Sequence, residues 1–220
     1  IHASLKTETT YKGGFHMSSE KFSFARVWEY HTWFLFVIVY IIMGIFIPSL
    51  FNAVTLLNVI IQGTTVALLA IGMAFVMLVG EIDLSIASIA AFAPMMGVMA
   101  MEKFGLPVIL AILLTFLVGA GIGLFNGLLV TKVKVPSLVQ TLTTQWMLLG
   151  ILLLITKGHA KTGLPSGWLW PGRTFVGPVP VLVFLFLAVV IGSIFFATRT
   201  VTGKRIYLVG GNREACKAMG

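Results

Sequence analysis

Along the chain, long apolar runs alternate with short polar breaks. Six apolar stretches, residues 33–51, 55–80, 84–101, 106–130, 136–156 and 178–198, each approach the roughly 20 residues with which an α-helix crosses a hydrocarbon core about 30 Å thick. Between them lie Asn52, residues 81–83, 102–105 and 132–134, and a polar stretch rich in Gly and Pro at 157–177. Gly105 and Pro107 are ordinary helix punctuation. The pattern predicts an all-α, polytopic transmembrane helical bundle of about six spans.

Composition agrees. The 220 residues are 58% hydrophobic and 10% charged, with a mean hydropathy of +1.03, where soluble domains run near 25% charged. A soluble globular protein is excluded, and no room is left for a separate soluble domain. Fifteen Lys and Arg against 7 Asp and Glu give +8, which in a soluble protein points to nucleic acid. Here the cations lie between apolar runs, so they report topology instead. With the N-terminus inside, the inner segments hold Lys6, Lys12, Lys21, Arg26, Lys132, Lys134, Arg199, Lys204, Arg205, Arg213 and Lys217, and the outer ones Lys103, Lys157, Lys161 and Arg173. The excess of inner cations predicts both termini in the cytoplasm. Trp28, Trp33, Trp168 and Trp170 fall near predicted span ends, as interfacial aromatics do.

Residues 1–32 are polar and lack the apolar core and cleavage site of a secretory signal. The first methionine is Met17, and Lys12-Gly13-Gly14 just upstream is a tripeptide whose back-translation can spell a bacterial ribosome-binding sequence. Residues 1–16 are therefore expected to be a translated, non-native leader, against a true tail as the alternative. The expected divisions are this leader, a cytoplasmic segment at 17–32, the membrane region at 33–198 and a cytoplasmic loop at 199–220.

Catalysis within a membrane needs ionisable or nucleophilic groups facing one another at depth. His31 and His159 lie at or beyond span ends, and Asp83 is the only aspartate. No catalytic residue is expected. A phosphate loop is absent, so ATP hydrolysis would fall to another chain. The single Cys216 has no partner for a disulfide or a zinc site, so no metal is expected.

Other positions leave two readings open. Gly119, Gly123 and Gly127 form a small-xxx-small series, either a packing face or a mobile seam. Asn126 beside them bonds either a neighbouring helix or a ligand. Asn58, Gln62 and Thr65 recur at i, i+4 and i+7, a polar stripe on an apolar helix, and Gln140, Thr141, Thr143, Thr144, Gln145 and Trp146 repeat the idea in the fifth stretch. Amides, hydroxyls and an indole suit a neutral polyhydroxylated solute; bonding between helices is the alternative. Glu81 and Asp83 are no acid/base pair by spacing. Asp83, with Ser85 or Ser88, either caps the next helix or acts in gating or at the substrate.

Gly80-Glu81-Ile82-Asp83-Leu84-Ser85 resembles the signature region of bacterial ABC importer permeases for simple sugars, the ribose, xylose, arabinose, galactose and autoinducer-2 type. Phe125-Asn126-Gly127-Leu128-Leu129-Val130, Lys134-Val135-Pro136-Ser137 with Thr141-Leu142, and Gly203-Lys204-Arg205 through Gly210-Gly211-Asn212-Arg213-Glu214-Ala215 follow in the family's order. Ala87, Thr143 and Leu149 depart from its usual residues, which bears on the substrate more than on the class. The resemblance implies a multi-pass permease of the bacterial inner membrane, working as a homo- or heterodimer. Such a permease takes a monosaccharide from an extracytoplasmic solute-binding protein by alternating access. ATP and Mg are implied on partner ATPase subunits, with no cofactor on this chain. It further implies that Gly211, Asn212, Arg213, Glu214 and Ala215 belong to a short helix that couples to the ATPase. For the substrate path the expectation is Asn58, Gln62, Thr65, Asp83, Ser85, Asn126, Gln140, Thr144, Gln145 and Trp146. The family continues for several spans past this loop, so the chain is expected to be a fragment. A nucleoside or amino acid permease and an ion-coupled carrier are the rival readings.

Overall fold

The computed structural model describes residues 30–218; the expected leader and most of the segment at 17–32 lie outside the described residues. The chain divides into two units at Asn52 and Ala53.

In the first unit, helix α1 (His31–Phe46) is followed by a 3₁₀ turn, Pro48–Phe51. The sequence predicts one span over 33–51, but the helix stops at Ile47, because Pro48 disfavours helical backbone at the residue before it. The turn folds Phe51 back onto Gly44, which lacks the side chain that would block the ring, and Tyr40 meets that ring edge-on at 5.4 Å. α1 is thus a shorter apolar helix of 16 residues.

The second unit holds five helices long and apolar enough to cross a membrane. They are α2 (Ala53–Leu78), α3 (Ile86–Phe104), α4 (Val108–Leu128), α5 (Ser137–Thr156) and, after a small hairpin, α7 (Val181–Arg199). The expected bundle of about six spans is thereby met. One wide π-turn, Leu129–Val133, lengthens α4 beyond its expected end. Within the stretch 157–177, read above as a plain break, the chain forms the short helix α6 (Ser166–Arg173). Strands β1 (Phe175–Val176) and β2 (Val179–Pro180) then pair antiparallel. Beyond α7 come α8 (Val201–Gly211) and α9 (Arg213–Ala218).

Local chemistry sets these ends. Pro107, Pro136, Pro165 and Pro180 stand immediately before α4, α5, α6 and α7, where a fixed φ and a missing N–H cost nothing. Gly105 closes α3 in the left-handed conformation, φ 64°, as a glycine without Cβ strain does.

α3 packs on α4 and α5, while α2 packs on α7 and α8. α3 and α4 approach closely at Gly97, where an added Cβ would lie 2.5 Å from Thr115 Oγ1 and 2.8 Å from the Ala111 carbonyl and Trp168. Of the glycine series expected to pack, Gly119 meets Ile89 and Ala93 of α3, and Gly123 and Gly127 meet nothing within 4 Å. That is a correction with a geometric cause: each step of four residues turns about 40° around a helix, so the stripe rotates off the contact.

Burial is inverted relative to a soluble domain. Val66, Phe116, Leu117 and Leu154 are exposed, while Ser85, Ser88, Asn126, Gln140, Thr141 and Thr144 are buried. Apolar surface outward and paired polar groups inward is the arrangement a hydrocarbon solvent demands.

Candidate functional site

The buried polar groups other than Thr64, which bonds the Ile60 carbonyl of its own helix, gather at the end of the bundle where α2 hands over to α3. Gly80, at φ 80°, lets the chain leave α2 and turn into Glu81. Asp83 Oδ1 then accepts the Ser85 backbone N–H at 2.8 Å and the Ser85 hydroxyl at 2.5 Å. Ser85, not Asp83, occupies the N-cap position of α3, and its side chain makes no capping bond to the helix; the aspartate fixes the turn in front of it. The capping reading of Asp83 is corrected to that extent, because its carboxylate is occupied by Ser85 and not by the free N–H groups of the first helical turn. Ser88 donates to the Ser85 carbonyl at 2.7 Å.

From Ser85 the network crosses to the other two helices. Asn126 Nδ2 of α4 donates to Ser85 Oγ at 3.0 Å, and Asn126 Oδ1 accepts from Gln140 Nε2 at 3.1 Å and from Thr144 Oγ1 at 2.7 Å, both on α5. Gln140 also donates to Thr144 Oγ1 at 3.2 Å. Read from α5, every donor points toward Asp83, from Gln140 to Asn126 to Ser85 to the carboxylate. Hydrogen bonds aligned this way polarise one another and end on a charge, the strongest acceptor in the chain.

A second set of bonds ties the same turn to the start of α5. The Leu84 N–H reaches Thr141 Oγ1 at 3.2 Å, the Ile82 N–H reaches Ser137 Oγ at 3.5 Å, and Thr141 donates to the Ser137 carbonyl at 2.8 Å. Among the described residues no buried side-chain nitrogen or oxygen lacks a partner, which is the condition under which a polar core rigidifies a bundle.

The structure therefore separates the expected path residues into two groups. Ser85, Asn126, Gln140 and Thr144 are buried and bonded to one another, with Asp83 at the margin. Asn58, Gln62 and Thr65 lie on an exposed face of α2, Trp146 is exposed and Gln145 is half-buried. Thr65 returns its hydroxyl to the Ile61 carbonyl at 3.0 Å, leaving the amides of Asn58 and Gln62 as the most polar groups on that face. α5 thus has two faces, one closing the core through Gln140, Thr141 and Thr144, the other carrying Trp146. A crevice of about 220 Å³ between α2, α7 and α8 is apolar and lined by Phe75, Ser193 and Tyr207, with none of the expected path residues in it. No cluster of three or more His, Cys, Asp or Glu occurs among the described residues.

The segment after α7 is built as closely as the network. Thr200 caps α8, accepting the Gly203 N–H at 3.0 Å. Gly203 packs its backbone against the Phe196 and Ala197 carbonyls, and Gly210 rests on the Leu78 carbonyl at the end of α2. Asn212 Oδ1 accepts the Ala215 N–H at 2.9 Å, capping α9. Arg213, the first residue of that helix, places Nη2 3.0 Å from Glu81 Oε1. Gly211, Glu214 and Ala215 complete an exposed surface. Sequence reasoning missed Glu81 as the partner of Arg213 and Gly97 as the tight α3–α4 contact. An unpaired acid between two spans was the only available signal for the first, and Gly97 carried none.

Residues 55–220 match the model of a family described as branched-chain amino acid transport system / permease component. The chain is 37% identical over 190 residues to the ribose import permease protein RbsC of Bacillus subtilis, covering 84% of this chain and 58% of that one. Against the inner membrane ABC transporter permease protein YjfF of Escherichia coli it is 32% identical, covering 79% and 54%. Against the autoinducer 2 import system permease protein LsrC of Yersinia enterocolitica it is 31% identical, covering 81% and 49%. The chain spans about half the length of these relatives. No solved structure matches it.

Proposed function

The chain belongs to the family of transport-system permease components, and from that premise we propose that it forms part of the membrane-embedded permease of an ATP-driven importer for a monosaccharide-like solute. The relatives named for ribose and autoinducer 2 support a sugar over an amino acid, although the family's own description is of amino acid transport. The observation that carries the reading is the pair Asn58 and Gln62, two amides one helical turn apart on an exposed face of an otherwise apolar spanning helix. Neutral amides on a lipid-facing surface are unfavourable, so this face meets water, a solute or another helix. They exchange hydrogen bonds with hydroxyls without trapping a charge.

In this reading Asn58, Gln62, Gln145 and Trp146 line the path, and the network from Asp83 to Thr144 is the frame that holds α3, α4 and α5 behind it. The end of the bundle bearing Lys132, Lys134, Arg199, Lys204, Arg205 and Arg213 faces the cytoplasm of a bacterial inner membrane, and the α8–α9 surface there contacts a separate ATPase that binds ATP and Mg. A solute-binding protein and a second permease subunit complete the assembly, and solute crosses by alternating access.

The test is purification of the full-length gene product in mild detergent with whatever accompanies it, followed by reconstitution in vesicles. Co-purification of an ATPase whose hydrolysis rises with a sugar-loaded binding protein supports the importer and identifies the sugar. An isolated permease whose uptake follows an ion gradient would overturn it in favour of a secondary carrier.

A further inference from the structure

Three features converge on the turn at residues 80–85. Arg213 at the start of α9 is paired with Glu81 at 3.0 Å. Gly210 brings the backbone of α8 onto the Leu78 carbonyl, two residues before Gly80. The turn's remaining polar attachments all lead inward, from Ile82 to Ser137, from Leu84 to Thr141, and from Asp83 through Ser85 to Asn126. The turn is non-helical from Gly80 to Asp83, so it is free to transmit a shift of one side to the other without unwinding a helix.

We propose that Glu81 is a positioning residue, the receiving group through which a displacement of α9 is passed to the polar core joining α3, α4 and α5. The proposal rests on the importer reading above, in which the α8–α9 surface meets the ATPase. Stability alone does not account for the pair: Arg213 is 51% exposed and Glu81 23%, and ion pairs so open to solvent contribute little to folding. Direction is what the pair supplies. It links the first residue of α9 to a segment bonded to both α4 and α5, so a displacement of α9 draws on the turn that holds Asp83 and Ser85. Coupling of this kind travels through contiguous packed and hydrogen-bonded groups that have two discrete arrangements.

Two measurements on the full-length protein test it. In vesicles with the co-purified ATPase and binding protein, Arg213→Ala and Glu81→Gln should each lower solute uptake per ATP hydrolysed by about fivefold or more with the assembly intact. The exchanged pair Glu81→Arg with Arg213→Glu should bring that ratio back towards the parent's. Singles that transport like the parent, or an exchanged pair no better than the singles, would overturn the proposal. The second measurement needs no partner. Amide hydrogen exchange in lipid nanodiscs should speed up about two- to fivefold at Ile82, Leu84 and Ser85 in Arg213→Ala, and not in Arg205→Ala, which removes an exposed cation of α8. Unchanged exchange in Arg213→Ala, or equal change in both, sinks the relay. A parent complex that shows no ATP-driven uptake would instead sink the importer reading, and the exchange result would still decide the role of Glu81.

Discussion

Asn126 on α4 donates to the hydroxyl of Ser85 at the head of α3 across 3.0 Å, and both residues are almost wholly buried, at 4% and 0% exposure. The same Asn126 oxygen takes two bonds from α5, so one side chain joins three helices. Lipid tails are as apolar as the helices' own side chains, so bundle association leans on close packing and on bonds of this sort.

Asn126→Ala should therefore cost more than a typical surface change. It leaves the Ser85 hydroxyl without a donor and the Thr144 hydroxyl without its acceptor, with Gln140 Nε2 held by Thr144 alone, a loss of about 1–3 kcal/mol. Thermal unfolding in detergent should show the drop, with Thr143→Ala as the reference, since that hydroxyl bonds only to the Val139 carbonyl of its own helix. Equal behaviour of the two variants would mean the network adds nothing.

Thr144→Val keeps the shape of the side chain and removes its bonds to Asn126 and Gln140. Combined with Asn126→Ala, it should be strongly non-additive, with an interaction energy of about 0.5–3 kcal/mol in a double-mutant cycle. Simple additivity would show that the two residues act independently.

Glycines that look alike in the sequence should separate on substitution. Gly97→Ala pushes a methyl against Thr115, the Ala111 carbonyl and Trp168, an overpacking cost of about 1–3 kcal/mol. Gly123→Ala meets open space and should be neutral or slightly stabilising in the protein taken alone, because alanine is the better helix former. Melting curves of the two variants check the contrast.

The two faces of α2 and α5 make a prediction about water. A cysteine at Gln62 should react with a hydrophilic thiol reagent and be shielded by the transported solute, whereas one at the apolar, exposed Val59 should react slowly. Reaction at the same rate would place the amide stripe in lipid or against protein. The native Cys216 in α9 reports sidedness in the same assay: with the α9 end in the cytoplasm, a membrane-impermeant reagent should reach it in inverted vesicles and not in right-side-out ones.

Hydropathy made the membrane bundle and all but the first of its spans legible in the sequence, because a hydrocarbon solvent imposes a length and an outward apolarity. Helix starts just after Pro107 and Pro136 were local as well, each depending on one residue's own backbone. Which polar residues bond each other was not local. Gln140, Thr144 and Gln145 share one helix and one chemistry, yet the packing of α5 on α3 and α4 turns the first two inward onto Asn126 and leaves Gln145 half-buried. The pairing of Glu81 with Arg213 spans residues more than a hundred positions apart, and only the approach of α8 to α2 at Gly210 brings them together. Spacing along a chain reports what shares a helix face; which partner that face meets is decided by packing.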